Sequence, residues 1–326
     1  MSRNTQCIVT IFLSYFAIYP THSTETLTLQ KSSSVFPHRL VDAITLYDNL
    51  DSIYIFGGES DTPSSNIYRY SIADDTLTLL TSTEPSIHAG SVNIDTSGNV
   101  FLFKNRTAHI FDPKLYTLTP IAALDDYTSV DHATPAKYND TSNRLYFLRG
   151  SHPYASCFDM ETLQGASIIS HWNRAYAFYP NPTGPGTPQY QQITFIDLRT
   201  FDLSYTGTRS LPVLHSPPGV VKVGSDFYLI EGRDHTNPLF PSNGLLRYIP
   251  EENRPVFLPV QNFMINQTQI FRGGSSVYVE KLDRIYIFGG ETLDGSSGKK
   301  VKAEGHNDIW YIDLGQSKAG NKDENP

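Results

Sequence analysis

The sequence is poor in cysteine, in basic clusters and in long apolar runs. Its only two cysteines are Cys7 and Cys157 among 326 residues. Cys7 lies in an N-terminal segment that we expect to be removed, as argued below. Cys157 would then remain alone, so the mature chain could form no internal disulfide.

The lack of a dense Lys/Arg cluster bears on the possible partners. The formal net charge is −8 at pH 7, with 25 basic and 33 acidic residues. A protein that binds a phosphate backbone usually carries a concentrated positive patch. Nucleic acid is therefore not expected as a ligand. No stretch beyond the N-terminus reaches the length of a membrane span, so we expect no span in the mature chain.

The N-terminal residues resemble a secretory signal. Arg3 precedes an apolar run, Ile8–Tyr19, that is too short for a transmembrane helix, and small residues at Thr21–Ser23 follow it. We predict a signal peptide at 1–23, a folded domain at 24–316 and a polar disordered tail at 317–326. A short signal anchor or a buried core strand is the alternative interpretation of the apolar run.

Export would make N-glycosylation possible. Three N-x-Ser/Thr triplets begin at Asn105, Asn139 and Asn266. Such triplets are common by chance, but together with a signal peptide they predict a glycosylated, extracellular protein.

Aromatic residues and turn formers are abundant, with 20 Tyr, 18 Phe, 22 Gly and 21 Pro. This composition is typical of strands and turns. Residues 53–60 read IYIFGGES and residues 285–292 read IYIFGGET. Each copy is followed, after a polar loop, by an aromatic strand, at 66–72 and at 308–314. This internal repeat predicts an all-β repeat architecture.

Weaker copies of the second, aromatic strand lie between these two good copies. Counting both good copies, the second strand occurs six times: 66–72, 108–113, 155–160, 193–198, 245–250 and 308–314. The pattern of an apolar strand, Gly-Gly, a loop and an aromatic strand resembles the kelch motif. The resemblance implies a six-bladed kelch-type β-propeller, similar to the central domain of the galactose-oxidase-like superfamily. The fourth copy is the poorest, and we expect it to lack part of its blade.

The last copy ends at Leu314 and is followed by a tail without strand character. We therefore expect its outer strand to come from the mature N-terminus, where Thr26–Leu29 alternates polar and apolar residues. Pairing the first and last segments would leave no exposed edge and close the ring.

Two features predict a ligand face. Long loops are expected at 180–191, 232–244 and 291–307, and long loops on one side of a rigid scaffold often carry binding sites. Basic or imidazole side chains also precede the first strands of five copies: His38 with Arg39, His88, His132, His215 and Arg272. These groups could ring a polar pocket, although polar residues at strand starts often serve only the loop backbone.

Carboxylates form a second set of candidates. Glu59 and Glu291 follow the Gly-Gly pairs, and Glu231 lies near Arg233. Such groups could perform acid–base chemistry, but a solvated loop with internal ion pairs is the preferred explanation. No histidines have metal-ligand spacing, so we predict no metal and no cofactor.

The sequence thus predicts a secreted, non-catalytic binding module for a glycan or a protein. The alternative is a cofactor-independent carbohydrate-modifying enzyme, similar to a mutarotase or epimerase, on the same propeller. Copper-radical oxidases that resemble this fold need a Tyr–Cys crosslink and an extra domain. Cys157 sits inside a strand and the extra domain is missing, which argues against an oxidase.

Overall fold

The computed structural model describes nineteen stretches of the chain. They are residues 21–22, 26–58, 65–82, 91–95, 97–104, 107–123, 135–137, 144–148, 155–159, 164–166, 174–179, 192–197, 203–205, 219–230, 244–249, 251–252, 254–263, 269–294 and 304–315. Regular structure in them is almost entirely β-strand, and a single 3-10 turn, Glu280–Leu282, interrupts it. The chain is all-β.

The strands follow one another as antiparallel units, in which each strand pairs with the next along the chain. The first unit contains β3 (Ile44–Tyr47), β4 (Ser52–Phe56), β5 (Asn66–Ser71) and β6 (Thr76–Ser82). The second contains β7 (Ser91–Ile94), β8 (Val100–Lys104), β9 (Thr107–Asp112) and β10 (Thr117–Ala123). The third contains β11 (Pro135–Lys137), β12 (Arg144–Leu148), β13 (Ala155–Asp159) and β14 (Gln164–Ala166). The fourth has three strands within the described residues: β15 (Arg174–Tyr179), β16 (Gln192–Asp197) and β17 (Leu203–Tyr205).

The remaining strands form one ten-stranded sheet. Its first part, the fifth unit, contains β18 (Gly219–Val223), β19 (Asp226–Ile230), β20 (Gly244–Ile249) and β21 (Arg254–Gln261). Its second part, the sixth unit, contains β22 (Gln269–Val279), β23 (Arg284–Asp294), β25 (Asp308–Asp313) and the N-terminal β2 (Leu27–Val35). Two short strands lie off this path: β1 (Thr21–His22) pairs with β21, and β24 (Glu304–Gly305) pairs with β23.

The N-terminal strand β2 pairs with the last strand, as the sequence predicted. Leu29 lies opposite Ile312 in antiparallel register, and Leu27 lies opposite Val260 in parallel register. Both leucines are buried in a core that the fifth and sixth units share. The pairing therefore joins the two ends of the chain and connects two units at once.

β2 also contacts the first unit through a turn. The carboxylate of Asp75, between β5 and β6, accepts hydrogen bonds from the Ser32 hydroxyl and from the Tyr70 hydroxyl at 2.9 Å. The Ser34 hydroxyl donates to the Asp75 carbonyl at 2.6 Å. One N-terminal strand is thus bound to the first, fifth and sixth units.

The core lies between neighbouring units. Ile53–Phe56 and Ile285–Phe288 are buried along their whole length, as expected of strands covered on both faces. One cluster joins side chains of the first and sixth units, another joins the first and second, and a third joins the fifth and sixth. Each of these adjoining pairs is therefore held by apolar burial rather than by the backbone alone.

The first strands of five units, the fifth, sixth, first, second and third, contact one another in succession. β18 contacts β22, β22 contacts β3, β3 contacts β7, and β7 contacts β11. Between β22 and β3, the Thr45 and Ser275 hydroxyls are hydrogen-bonded at 2.9 Å. These strands form a continuous row along one edge of the units.

The six aromatic second-strand copies read from the sequence are all strands: β5, β9, β13, β16, β20 and β25. One expected loop needs correction. The segment 291–307 begins inside β23, which runs to Asp294, and its end returns as β24, with Glu291 opposite Gly305. Within the described residues no helix is long and apolar enough to cross a membrane. Residues 1–20 and the predicted tail lie outside the described residues.

Candidate functional site

The segment Phe36–Ala43, which we call the crossing segment, carries the chain from β2 of the sixth unit to β3 of the first. Within it Val41 forms a single isolated β-bridge, and four backbone hydrogen bonds fix the segment. Phe36 and Leu40 donate to the carbonyls of Asn307 and His306 at 2.7 and 2.9 Å. The remaining two bonds run from Asp42 N–H to Gly273 O at 2.7 Å and from Gly290 N–H to Leu40 O at 2.6 Å.

The two Gly-Gly pairs of the repeat meet at this segment. Gly57, Gly58, Gly289 and Gly290 all have positive φ, between 63° and 96°. A Cβ on Gly289 would lie 2.0 Å from the Leu40 carbonyl oxygen, and one on Gly58 would lie 2.6 Å from Leu40 Cδ1. Glycine is therefore required at Gly289 both for its conformation and for the close approach of another backbone.

Apolar packing holds the crossing segment against the first and sixth units. Phe36 and Leu40 are completely buried. The Phe36 ring meets Tyr68 of β5 edge-to-face at 5.3 Å and Phe288 of β23 at 6.4 Å. The crossing segment therefore inserts between the first and sixth units rather than lying loosely over them.

Two of the predicted site residues lie on the crossing segment. His38 is half-buried beside Tyr68, with ring centroids 6.0 Å apart. Its Nε2 is buried, and no hydrogen-bond partner for it is found among the described residues. Arg39 is exposed, and its side chain passes over Gly305, whose Cβ would lie 3.0 Å from Arg39 Cδ.

Two further predicted residues face each other in the sheet. Arg272 in β22 lies directly opposite Glu291 in β23. The sequence placed Arg272 before its strand and Glu291 in a loop, and both placements are wrong. The β22–β23 hairpin continues past the Gly-Gly pair: Gly274 lies opposite Gly289 and Arg272 opposite Glu291, although Gly289 and Gly290 have positive φ.

His306 is the residue at this site that the sequence did not single out. It precedes β25 and contacts Phe271 and Trp310, with ring centroids at 6.1 and 5.4 Å. Its Nε2 is hydrogen-bonded to the Thr292 hydroxyl. Burial lowers the pKa of His306 below the usual 6.5, although Asp308 and Glu304 act in the opposite direction.

The other candidates fall outside the described residues. They are Glu59, His88, His132, His215, Glu231 and Arg233, and the glycosylation candidates Asn105, Asn139 and Asn266. Of the predicted ring of basic groups, the described part of the chain places the side chains of His38 and Arg39, on the crossing segment, and the backbone position of Arg272 in β22.

The described part of the site is a hydrogen-bonding surface that carries both positively and negatively charged groups. It offers a guanidinium, two imidazoles and carboxylates, held by buried strands. No group of three or more His, Cys, Asp or Glu side chains among the described residues is arranged to hold a metal ion. Its chemistry suits recognition of polar groups.

Comparisons with known proteins do not assign the chain to a family. No family model matches it, and no curated protein matches it either.

Proposed function

We propose that the chain is a secreted, six-bladed kelch-type β-propeller that binds a glycan or protein ligand without catalysis. The observation that supports it best is the succession of contacts between the first strands of neighbouring units. In a propeller the first strands surround the axis, and each unit packs face to face with the next. The buried clusters between adjoining units support the same arrangement.

The N-terminal strand supports a closed ring. In this proposal β2 is the outer strand of the last blade, and the crossing segment leads from it to the inner strand of the first. Closure by pairing the chain ends leaves no edge open at the junction.

The ligand face is proposed to be the side that carries the crossing segment. In an antiparallel unit, alternate connections leave on the same side of the sheet. The connections after β15, β19 and β23 therefore leave on the side where the crossing segment passes. These are the connections that the sequence predicts to be long, at 180–191, 232–244 and 291–307.

The groups around the crossing segment suit a hydroxyl-rich or charged ligand. Arg39 is exposed, and Glu291 is partly exposed in the neighbouring hairpin. Arginine and carboxylate side chains can hydrogen-bond adjacent hydroxyl groups or pair with charged ones. The rigid strands beneath keep these groups in place at little entropic cost on binding.

The proposal is tested by screening the purified mature chain, residues 24–326, against an array of soluble glycans. Binding should weaken about tenfold in Arg39→Ala, which removes one charge-assisted contact. Lys114→Ala is the matched control, since Lys114 is exposed in the turn between β9 and β10 on the opposite side. Equal loss in both variants, or no glycan or protein ligand in any screen, would contradict the proposed face.

An anomerisation assay on the same protein separates binding from catalysis. Binding without turnover supports the binding module. Turnover that is lost in His132→Ala or Arg272→Ala would replace it with the carbohydrate-modifying enzyme.

A further inference from the structure

We propose that His306 is a pH-sensitive latch, which holds the crossing segment when its imidazole is neutral and loosens it when the imidazole is protonated. The inference concerns the fold around the crossing segment and does not depend on any ligand.

The backbone of His306 connects the crossing segment to the sixth unit. Its carbonyl accepts the Leu40 N–H at 2.9 Å, and its N–H donates to the Gly290 carbonyl at 2.7 Å. Gly290 in turn donates to the Leu40 carbonyl at 2.6 Å. These three bonds link Leu40, Gly290 and His306 in a closed ring. Two of them involve the backbone of His306, so a shift of this residue would break both.

The ring of His306 is placed where a positive charge is costly. Phe271 is fully buried and Trp310 is nearly so, and their rings, 6.3 Å from each other, lie together against the imidazole. The only described polar partner of the ring is the Thr292 hydroxyl, which is itself buried. A protonated ring would have two N–H donors in a place that offers little solvation, so protonation favours movement of the ring toward water.

The surrounding charges do not cancel this cost. On the elements packed around the ring, Asp308 of β25 and Glu304 of β24 favour the imidazolium, whereas Arg39 of the crossing segment and Lys31 of β2 oppose it. Asp308 is already paired with Lys31 at 2.7 Å. His38 of the crossing segment and Glu291 of β23, whose register partners are Gly305 in β24 and Arg272 in β22, are the other titratable or charged residues on the adjoining elements.

The direction of the pH effect follows from linkage. Burial lowers the pKa of His306 in the folded state below the 6.5 of an unfolded chain. Stability from the neutral ring is therefore complete above about pH 6.5 and declines as the pH falls below it. An opened crossing segment lets the ring reach water and regain its ordinary pKa.

Amide hydrogen exchange on the mature chain at pH 7.5 and pH 5.5 tests the latch. After correction for intrinsic rates, exchange at the Leu40 and Gly290 amides should rise by up to about tenfold at the lower pH, since pH 5.5 lies one unit below the ordinary histidine pKa of 6.5. The Phe111 amide of β9, distant from His306, is the internal control. In His306→Gln, which keeps a polar side chain without a charge, exchange at Leu40 and Gly290 should no longer depend on pH.

Direct titration of His306 by NMR keeps the proposal testable if the glutamine variant does not fold. A pKa clearly below 6.5 together with faster exchange at pH 5.5 supports the latch. A pKa of 6.5 or above, unchanged exchange in the wild-type protein, or the same pH dependence in the variant would overturn it.

Discussion

Ser33 donates two hydrogen bonds to the carboxylate of Asp75, from its backbone N–H at 2.9 Å and from its hydroxyl at 2.8 Å. Ser33 lies in the N-terminal strand of the sixth unit and Asp75 in a turn of the first. Partial burial raises the pKa of Asp75, but hydrogen bonds from Ser32, Ser33 and Tyr70 outweigh it and lower the pKa to about 2. A single ionised carboxylate thus connects the closing strand to the unit that follows it.

We expect this connection to fail in acid. The pKa of Asp75 is about 3.8 in an unfolded chain and about 2 in the folded state. The contribution of the ionised carboxylate to the free energy of unfolding is therefore present above pH 3.8 and is lost as the pH falls toward 2. Because Asp75 is partly exposed to solvent, we expect a loss of about 1–2 kcal/mol. Urea unfolding between pH 5 and pH 2 measures it.

Asp75→Asn is the matching variant, since asparagine tolerates the left-handed backbone of Asp75, whose φ is 48°. It should be less stable than the wild type at pH 5, and the difference should shrink toward pH 2. A constant difference across this range would show that the charge of Asp75 is not responsible.

The closing strand should contribute strongly to stability. Leu29 of β2 is 5% exposed in the core of the fifth and sixth units, whereas Val35 in the same strand is 48% exposed. Leu29→Ala should cost about 2–4 kcal/mol and Val35→Ala less than about 0.5 kcal/mol. Deletion of residues 24–33 should lower the Tm markedly. An unchanged melting curve after the deletion would rule out closure by β2.

The second glycine pair should tolerate no side chain. Gly289→Ala would both strain a left-handed backbone and collide with the Leu40 carbonyl, and it should cost about 3 kcal/mol or more. Gly224 is the matched control, with φ of 60° against 63° for Gly289 and open space around it. Gly224→Ala should cost only about 1 kcal/mol, the strain alone. Similar losses of unfolding free energy in both variants would contradict a role for the close approach.

Secretion is tested by expressing the full chain in eukaryotic cells. We expect the protein in the medium, with a mature N-terminus at residue 24 by N-terminal sequencing. Enzymatic removal of N-glycans should increase its electrophoretic mobility, and Gln substitutions at Asn105, Asn139 and Asn266 should each reduce the effect. Retention of Cys7 in the released protein would contradict the predicted cleavage.

Much of the strand architecture could be read from local sequence. The motif IYIFGG gives a strand buried on both faces, followed by two residues able to adopt positive φ, and the structure has both features at 53–58 and 285–290. The pairing of the N-terminal strand with β25 could also be predicted, since the last copy of the repeat lacked an outer strand and residues 26–29 alternate polar and apolar side chains. Both predictions depend on patterns of side chains that extend over only a few residues, and such patterns determine local structure.

The candidate site was less predictable. His38 and Arg39 were chosen as strand-entry residues, yet their position follows from the path of Phe36–Ala43 across the sixth unit. His306 gave no sequence signal, because its environment is formed by Phe271 from one strand and Trp310 from another. Arg272 and Glu291 are nineteen positions apart, and only the extended register of the hairpin places them opposite each other.

The sequence by itself determined that this chain forms short antiparallel strands, where those strands lie and where glycine must occur. These properties follow from side-chain periodicity and backbone sterics, which act over a few residues. The tertiary structure alone decided why the glycines are needed, since only there does Leu40 pass against Gly58 and Gly289. It also decided which polar groups meet around the crossing segment. Some of these contacts join residues more than 200 positions apart, as Leu40 and Gly289 do, and their energies depend on packing that no local pattern contains.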